Sequence, residues 1–129
     1  MELLVDTHVL IWAMSQPERL APAAAGALAD PDTAVLVSAV SAGEIATKVR
    51  IGKLPGGEHL VLGYARNLEH WLARELPVSS ADALLAGTLT WDHRDPFDRM
   101  LAAQSLRRGC PLVSSDRVFD QVAGIHRIW

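Results

Sequence analysis

The residues of this chain that could do chemistry are mostly acids. In His93-Arg94-Asp95-Pro96-Phe97-Asp98-Arg99, two carboxylates flank the point where a loop turns into a helix. Pro96 lacks an N–H and holds φ at about −65°, which suits the first helical position and makes Asp95 the N-cap and Asp98 the third helical residue. Three more acids, Asp6, Glu44 and Asp116, fall where an apolar run ends or a helix begins. Each alone has a structural explanation. Asp6 and Asp95 can cap helices, Asp98 complements a helix dipole, Glu44 fits an S-x-x-E capping box from Ser41, and Asp116 suits a turn. Capping does not explain why acids recur at strand ends and helix starts.

Convergence of Asp6, Glu44, Asp98 and Asp116 on one site has a chemical consequence. Two carboxylates about 4 Å apart repel by roughly 4 kcal/mol at an effective dielectric of about 20, so such a cluster needs protons or cations. An all-oxygen set, with no His or Cys at ligand spacing, favours Mg²⁺ or Mn²⁺ over Zn²⁺. An ion of that kind activates water and stabilises charge developing at phosphorus.

The elements that would deliver these acids alternate. Leu3-Leu4-Val5 reads as a strand ending at Asp6, followed by a helix from Thr7 that Pro17 stops. A second helix is expected over Arg19–Ala29, and a strand over Ala34–Val37. A third helix opens near Ser41 and carries Ile45, Ala46 and Val49 at helical spacing. Glu58 to Glu75 reads as one long helix, with a short strand around Leu76-Pro77-Val78. Ser79 and Asp82 open a further helix. The helix from Pro96 ends at Gly109, Pro111–Val113 runs as a strand into Ser114-Ser115-Asp116, and Ile125–Trp129 reads as a last edge strand. The alternation predicts a three-layer α/β/α fold with a mainly parallel sheet, whose ligand sites lie outside the carboxyl ends of the strands.

With 129 residues, half of them apolar, the chain is expected to form a single domain over residues 1–129. No apolar run approaches the roughly 18 residues needed to cross a bilayer, and nothing resembles a signal peptide, so a soluble cytoplasmic protein without membrane contact is expected. Cys110 cannot form an internal disulfide and reads as a small buried hydrophobe. A net charge of −3 argues on its face against nucleic acid, but setting aside the four clustered acids leaves the remainder at +1. Lys48, Arg94 and Arg99 are the cations placed to steer a phosphate backbone. Trp12, Trp91 and the Gly56-Gly57 loop are candidates for framing a partner groove.

Taken in order, Asp6-Thr7-His8-Val9-Leu10-Ile11-Trp12, Ser41-Ala42-Gly43-Glu44-Ile45, Ile51-Gly52-Lys53-Leu54, Asp95-Pro96-Phe97-Asp98-Arg99 and Ser114-Ser115-Asp116 resemble a PIN-domain ribonuclease of the VapC toxin type over nearly the whole chain. The resemblance implies a Mg²⁺- or Mn²⁺-dependent endoribonuclease, the toxin half of a toxin–antitoxin pair, homodimeric and neutralised by a cognate antitoxin. It implies an acidic site at Asp6, Glu44, Asp98 and Asp116, with Asp6, Asp98 and Asp116 as the chief metal ligands and Glu44 a direct or water-mediated one. Asp95 matches a flanking acid, and Thr7 and Ser114 match hydroxyl positions that orient a carboxylate or a bound water. Gly43 departs from the pattern, standing where relatives often carry a bulky aromatic. Two other classes compete. A metal-dependent phosphatase or phosphotransfer receiver fits poorly, because position 8 is His where a second acid is wanted and no lysine follows Lys53. A non-catalytic PIN-like binding module would use the acids only as caps.

Overall fold

Alternation along the strands generates two apolar cores. In the computed structural model, which describes residues 1–129, Leu3 and Val5 of β1 (Glu2–Val5) join Val35 and Val37 of β2 (Ala34–Ser38) in one buried cluster. Leu4 and Leu36 join Leu112 of β4 (Leu112–Val113) in another on the opposite face. The period of two forces this division, and each face then needs its own helical cover. The first cluster takes Val9, Leu10 and Ile11 of α1 (Thr7–Ser15), Ala24 of α2 (Pro22–Ala29), Ile45 of α3 (Ala39–Arg50), Leu60 of α4 (Glu58–Leu62) and Leu68 of α5 (Tyr64–His70). The second takes Leu101 and Ala102 of α7 (Pro96–Arg108) and Phe119, with Leu89, after α6 (Ser80–Thr88), packed beside them. The result is the expected three-layer α/β/α fold.

The sheet is five-stranded and parallel throughout, in the order β3-β2-β1-β4-β5, with β3 (Arg74–Leu76) and β5 (Arg127–Ile128) at the edges. Val5 pairs with both Val37 and Val113, so the next residues, Asp6, Ser38 and Ser114, emerge side by side from the carboxyl ends of the three central strands. The order reverses at β1, where open parallel sheets place their ligands.

Several boundaries differ from the sequence reading. The segment expected as a helix from Arg19 opens instead with a 3₁₀ turn at Pro17–Arg19, and α2 begins at Pro22. Helix α3 starts at Ala39, capped by Ser38, whose hydroxyl accepts from Val40 N–H at 3.1 Å. Ser41 is therefore inside the helix and no capping box from it to Glu44 forms. The long helix expected to Glu75 breaks at Gly63 into α4 and α5. It stops at Trp71, because Leu72 adopts the left-handed conformation (φ 55°) and turns the chain into β3. That strand covers Arg74–Leu76, ahead of the expected Leu76-Pro77-Val78. Gly109, also left-handed at φ 64°, closes α7 as its residue type suggests. Cys110 is buried in the second core, where burial holds its thiol above the ordinary range. A side chain at Gly43 would meet nothing, so the missing aromatic leaves no hole. No helix is long and apolar enough to cross a membrane.

Candidate active site at the carboxyl ends of the strands

Asp6 is held on three sides. Its Oδ1 accepts the Thr7 N–H at 2.7 Å, capping α1, and its Oδ2 accepts the Ser114 hydroxyl at 2.7 Å, with His8 Nδ1 3.3 Å away. Thr7 and Ser41 share a hydroxyl hydrogen bond of 2.9 Å, which ties the start of α1 to the first turn of α3. One helical turn further along α3, Glu44 is 94% buried; its Oε2 pairs with Lys48 Nζ at 2.8 Å and its Oε1 has no partner. A buried carboxylate oxygen without a donor calls for a cation or an ordered water.

Asp98 occupies the third position of α7, behind the Asp95 cap. Asp95 Oδ1 accepts from Phe97 N–H at 2.8 Å and Asp98 N–H at 3.3 Å, as the Pro96 spacing predicts. Asp98 Oδ2 lies 2.6 Å from His93 Nε2. Its carboxyl is pushed up to about 6, first by burial and then by the charges of Asp6 and Asp95, against the hydrogen bond from His93. The structure therefore brings Asp6, Asp95 and Asp98 within electrostatic reach of one another. Asp116 joins differently. Its side chain caps a 3₁₀ turn (Arg117–Gln121) through Val118 N–H and is exposed, while its own N–H donates to Ser114 Oγ at 3.0 Å. Its link to Asp6 runs through that serine and not through its carboxylate. The group whose ligand atoms all lie within 4.8 Å of one another is His93, Asp95 and Asp98, rather than the four acids.

Two histidines were missed as site residues. His8 reads in the sequence as an ordinary half-buried side chain, yet its Nδ1 faces Asp6 and its Nε2 meets Ser115 Oγ at 2.8 Å. His93 lies five residues before Asp98 in a loop, a separation with no fixed geometry, so only its closeness to Asp95 and Asp98 in the sequence could have marked it.

Arg99 has a different task from the one expected. Its guanidinium donates to the carbonyls of Ala86 (2.8 Å), Leu89 (2.7 Å), Trp91 (2.7 Å) and His93 (2.9 Å). With four bonds committed it staples the loop before α7 and is not free to steer a phosphate. Lys48 is engaged by Glu44, whereas Arg94 is exposed beside an open cleft of about 530 Å³ lined by Trp91, Asp92, His93 and Arg99. Trp12 and the Gly56-Gly57 loop do share a groove, of about 240 Å³, with Arg19 stacked 4.2 Å over the Trp12 ring. Trp91 is not part of it. Asp82 is a structural cap, fixed in a capping box with Ser79 and bound by Gln104 and Arg107.

The donor set suits a divalent cation: an Asp98 carboxylate opposed by the charges of Asp6 and Asp95, an unpartnered oxygen on Glu44 and one imidazole. Comparison with known proteins bears on the family. A comparison with curated protein sequences finds no match. Among solved structures, VapBC2 from Rickettsia felis, bound to a DNA fragment from their promoter, superimposes with a TM-score of 0.67 at 14% identity, over 98% of this chain and 97% of that one. VapBC-5 from Mycobacterium tuberculosis, a member of the VapBC family of toxin–antitoxin systems, gives 0.64 at 18% identity, over 98% and 96%. FitAcB from Neisseria gonorrhoeae gives 0.62 at 19%, over 97% and 95%. At these identities the likeness is one of fold. The sequence model of the PIN domain matches residues 3–125, and on that match, spanning nearly the whole chain, the protein belongs to the PIN-domain family.

Proposed function

We propose that the protein is a divalent-metal-dependent endoribonuclease, the toxin of a toxin–antitoxin pair. PIN domains are generally nucleases, which sets the reaction class. The observation that carries the metal dependence is the grouping of His93, Asp95 and Asp98, with ligand atoms within 4.8 Å of one another, at an edge where Asp6 and Asp95 oppose ionisation of the buried Asp98. Asp6, Asp98 and Asp116 would hold the ion, with Glu44 as a direct or water-mediated ligand. Mg²⁺ or Mn²⁺ suits these oxygens and, when bound, supplies charge neutralisation at a phosphodiester and at an attacking water.

The protein's own groups do the positioning. Ser114 and the Thr7 N–H fix the Asp6 carboxylate by one oxygen each, so its orientation is set before any ligand arrives. Lys48 holds Glu44 by one oxygen and leaves the other free. Arg94, exposed at the rim, is the cation available to an RNA backbone. An antitoxin protein and a second copy of the chain are the proposed partners; Leu62, Leu72 and Leu84 present exposed apolar surface that suits protein contact.

The test is cleavage mapping of cellular RNA with purified protein, with and without EDTA, beside Asp6→Asn and Asp98→Asn. Metal-dependent cuts lost in both folded variants are expected. Cleavage that persists in either variant would overturn the assignment.

A further inference from the structure

The acids explain a hard-cation site, but they leave His93 unexplained. It makes no hydrogen bond through its ring except to Asp98, and it is held in place from behind: Arg99 binds its carbonyl, and its ring packs on Trp91 with centroids 4.9 Å apart. A ring nitrogen of His93 and one oxygen each from Asp95 and Asp98 lie within 4.8 Å of one another, and Nε2 is the nitrogen that faces Asp98. First-row divalent ions sit about 2.1 Å from nitrogen and oxygen donors, so donors on one ion lie about 3.0 Å apart when adjacent and at most about 4.2 Å apart. On binding, the ion takes the place of the proton shared by His93 Nε2 and Asp98, which is released to solvent. Asp95 caps α7 through Oδ1 alone, which leaves Oδ2 without a protein donor. A separate observation comes from α3 at the same edge: Glu44 Oε1, one turn past the Ser41 that binds Thr7, is buried and has no partner.

We propose that His93, through Nε2, is a direct ligand of the ion at this edge, joining Asp98 and Asp95. The inference rests on the metal-site reading and adds to it a nitrogen donor, which changes ion preference. A nitrogen donor favours transition ions, Mn²⁺ the weakest binder among them, over Mg²⁺, which prefers oxygen and gives up its waters reluctantly. The centre therefore binds Mn²⁺ in preference to Mg²⁺.

Mn²⁺ itself is the probe. Pulsed electron paramagnetic resonance of the Mn²⁺-loaded wild-type chain should show a directly bonded ¹⁴N nucleus, replaced by the ¹⁵N pattern when histidine is isotope-labelled. His93→Gln should remove that coupling and His8→Gln, at the other histidine near Asp6, should retain it. By titration calorimetry, His93→Gln should weaken Mn²⁺ binding about tenfold or more and Mg²⁺ binding much less. A residue that only orients Asp98 would weaken both ions alike.

The outcomes separate. Mn²⁺ bound without nitrogen coupling, or coupling that disappears only in His8→Gln, overturns the role of His93 and leaves the acidic metal site standing. Failure of the wild-type chain to bind Mn²⁺ overturns both. The isotope comparison uses wild-type protein, so a poorly folding His93→Gln does not remove the test.

Discussion

Ser114 donates its hydroxyl to Asp6 Oδ2 at 2.7 Å across 108 residues of sequence, and both residues are buried. Ser114 Oγ in turn accepts the Asp116 N–H at 3.0 Å. One side chain thus joins the ends of β1 and β4, orients the Asp6 carboxylate and fixes the backbone of Asp116. Ser114→Ala should cost about 1 kcal/mol of stability, from the lost hydrogen bond, and weaken divalent-ion affinity about tenfold. Thermal melts with and without Mn²⁺ check both; a variant that loses stability but keeps the full Mn²⁺-induced shift would confine Ser114 to packing.

Asp98 makes the metal-free protein pH-sensitive. Its folded carboxyl titrates at about 6 against 3.8 in the unfolded chain. Within that window the native state keeps a proton that the unfolded state releases, so this contribution to stability falls as pH rises and is fully lost above about pH 6. The penalty has an upper bound of about 3 kcal/mol. Asp98→Asn should therefore abolish metal-dependent activity yet raise metal-free stability at pH 7.5, with the advantage vanishing below pH 4. Denaturant melts in EDTA across that range measure it, and parallel curves for the two proteins would contradict it.

Arg99→Lys tests the loop staple. A lysine has one small head group where the guanidinium reaches four carbonyls in different directions. The change should cost about 2–4 kcal/mol, because carbonyls are left unpaired. Equilibrium unfolding reads it directly. A loss below about 0.5 kcal/mol would mean that water replaces the guanidinium at no penalty.

Tyr64 has a buried hydroxyl with no partner, and burial pushes its ionisation up to about 12. Tyr64→Phe should leave stability at pH 7 unchanged or raise it by up to about 1 kcal/mol. It should also flatten the alkaline decline, since above pH 10 the unfolded tyrosine ionises while the folded one stays neutral. A clearly less stable Tyr64→Phe would mean that the hydroxyl does find a partner in solution.

Much of the frame is written locally. The Asp95-Pro96 cap, the Gly109 stop, the Ser79–Asp82 box and the alternation of Leu3, Leu4 and Val5 all follow from stereochemistry within a few residues, and together they give the element order and the edge at which Asp6 and Ser114 emerge. What lies beyond that reach was not legible. No local signal predicts Leu72 in a left-handed conformation that favours glycine, because the turn into β3 imposes it. Ser38 displaces the Ser41–Glu44 box because β2 ends there.

The sequence by itself determined which acids stand at strand ends and helix starts, since backbone geometry and residue type decide that. Only the tertiary structure decided what each one touches: His93 against Asp98, Ser114 between Asp6 and Asp116, Lys48 on Glu44, and Arg99 turned inward to four carbonyls. The reason is physical. Hydrogen bonds and charge repulsion depend on distances set by packing two cores against one sheet, and those distances join residues that no local pattern connects.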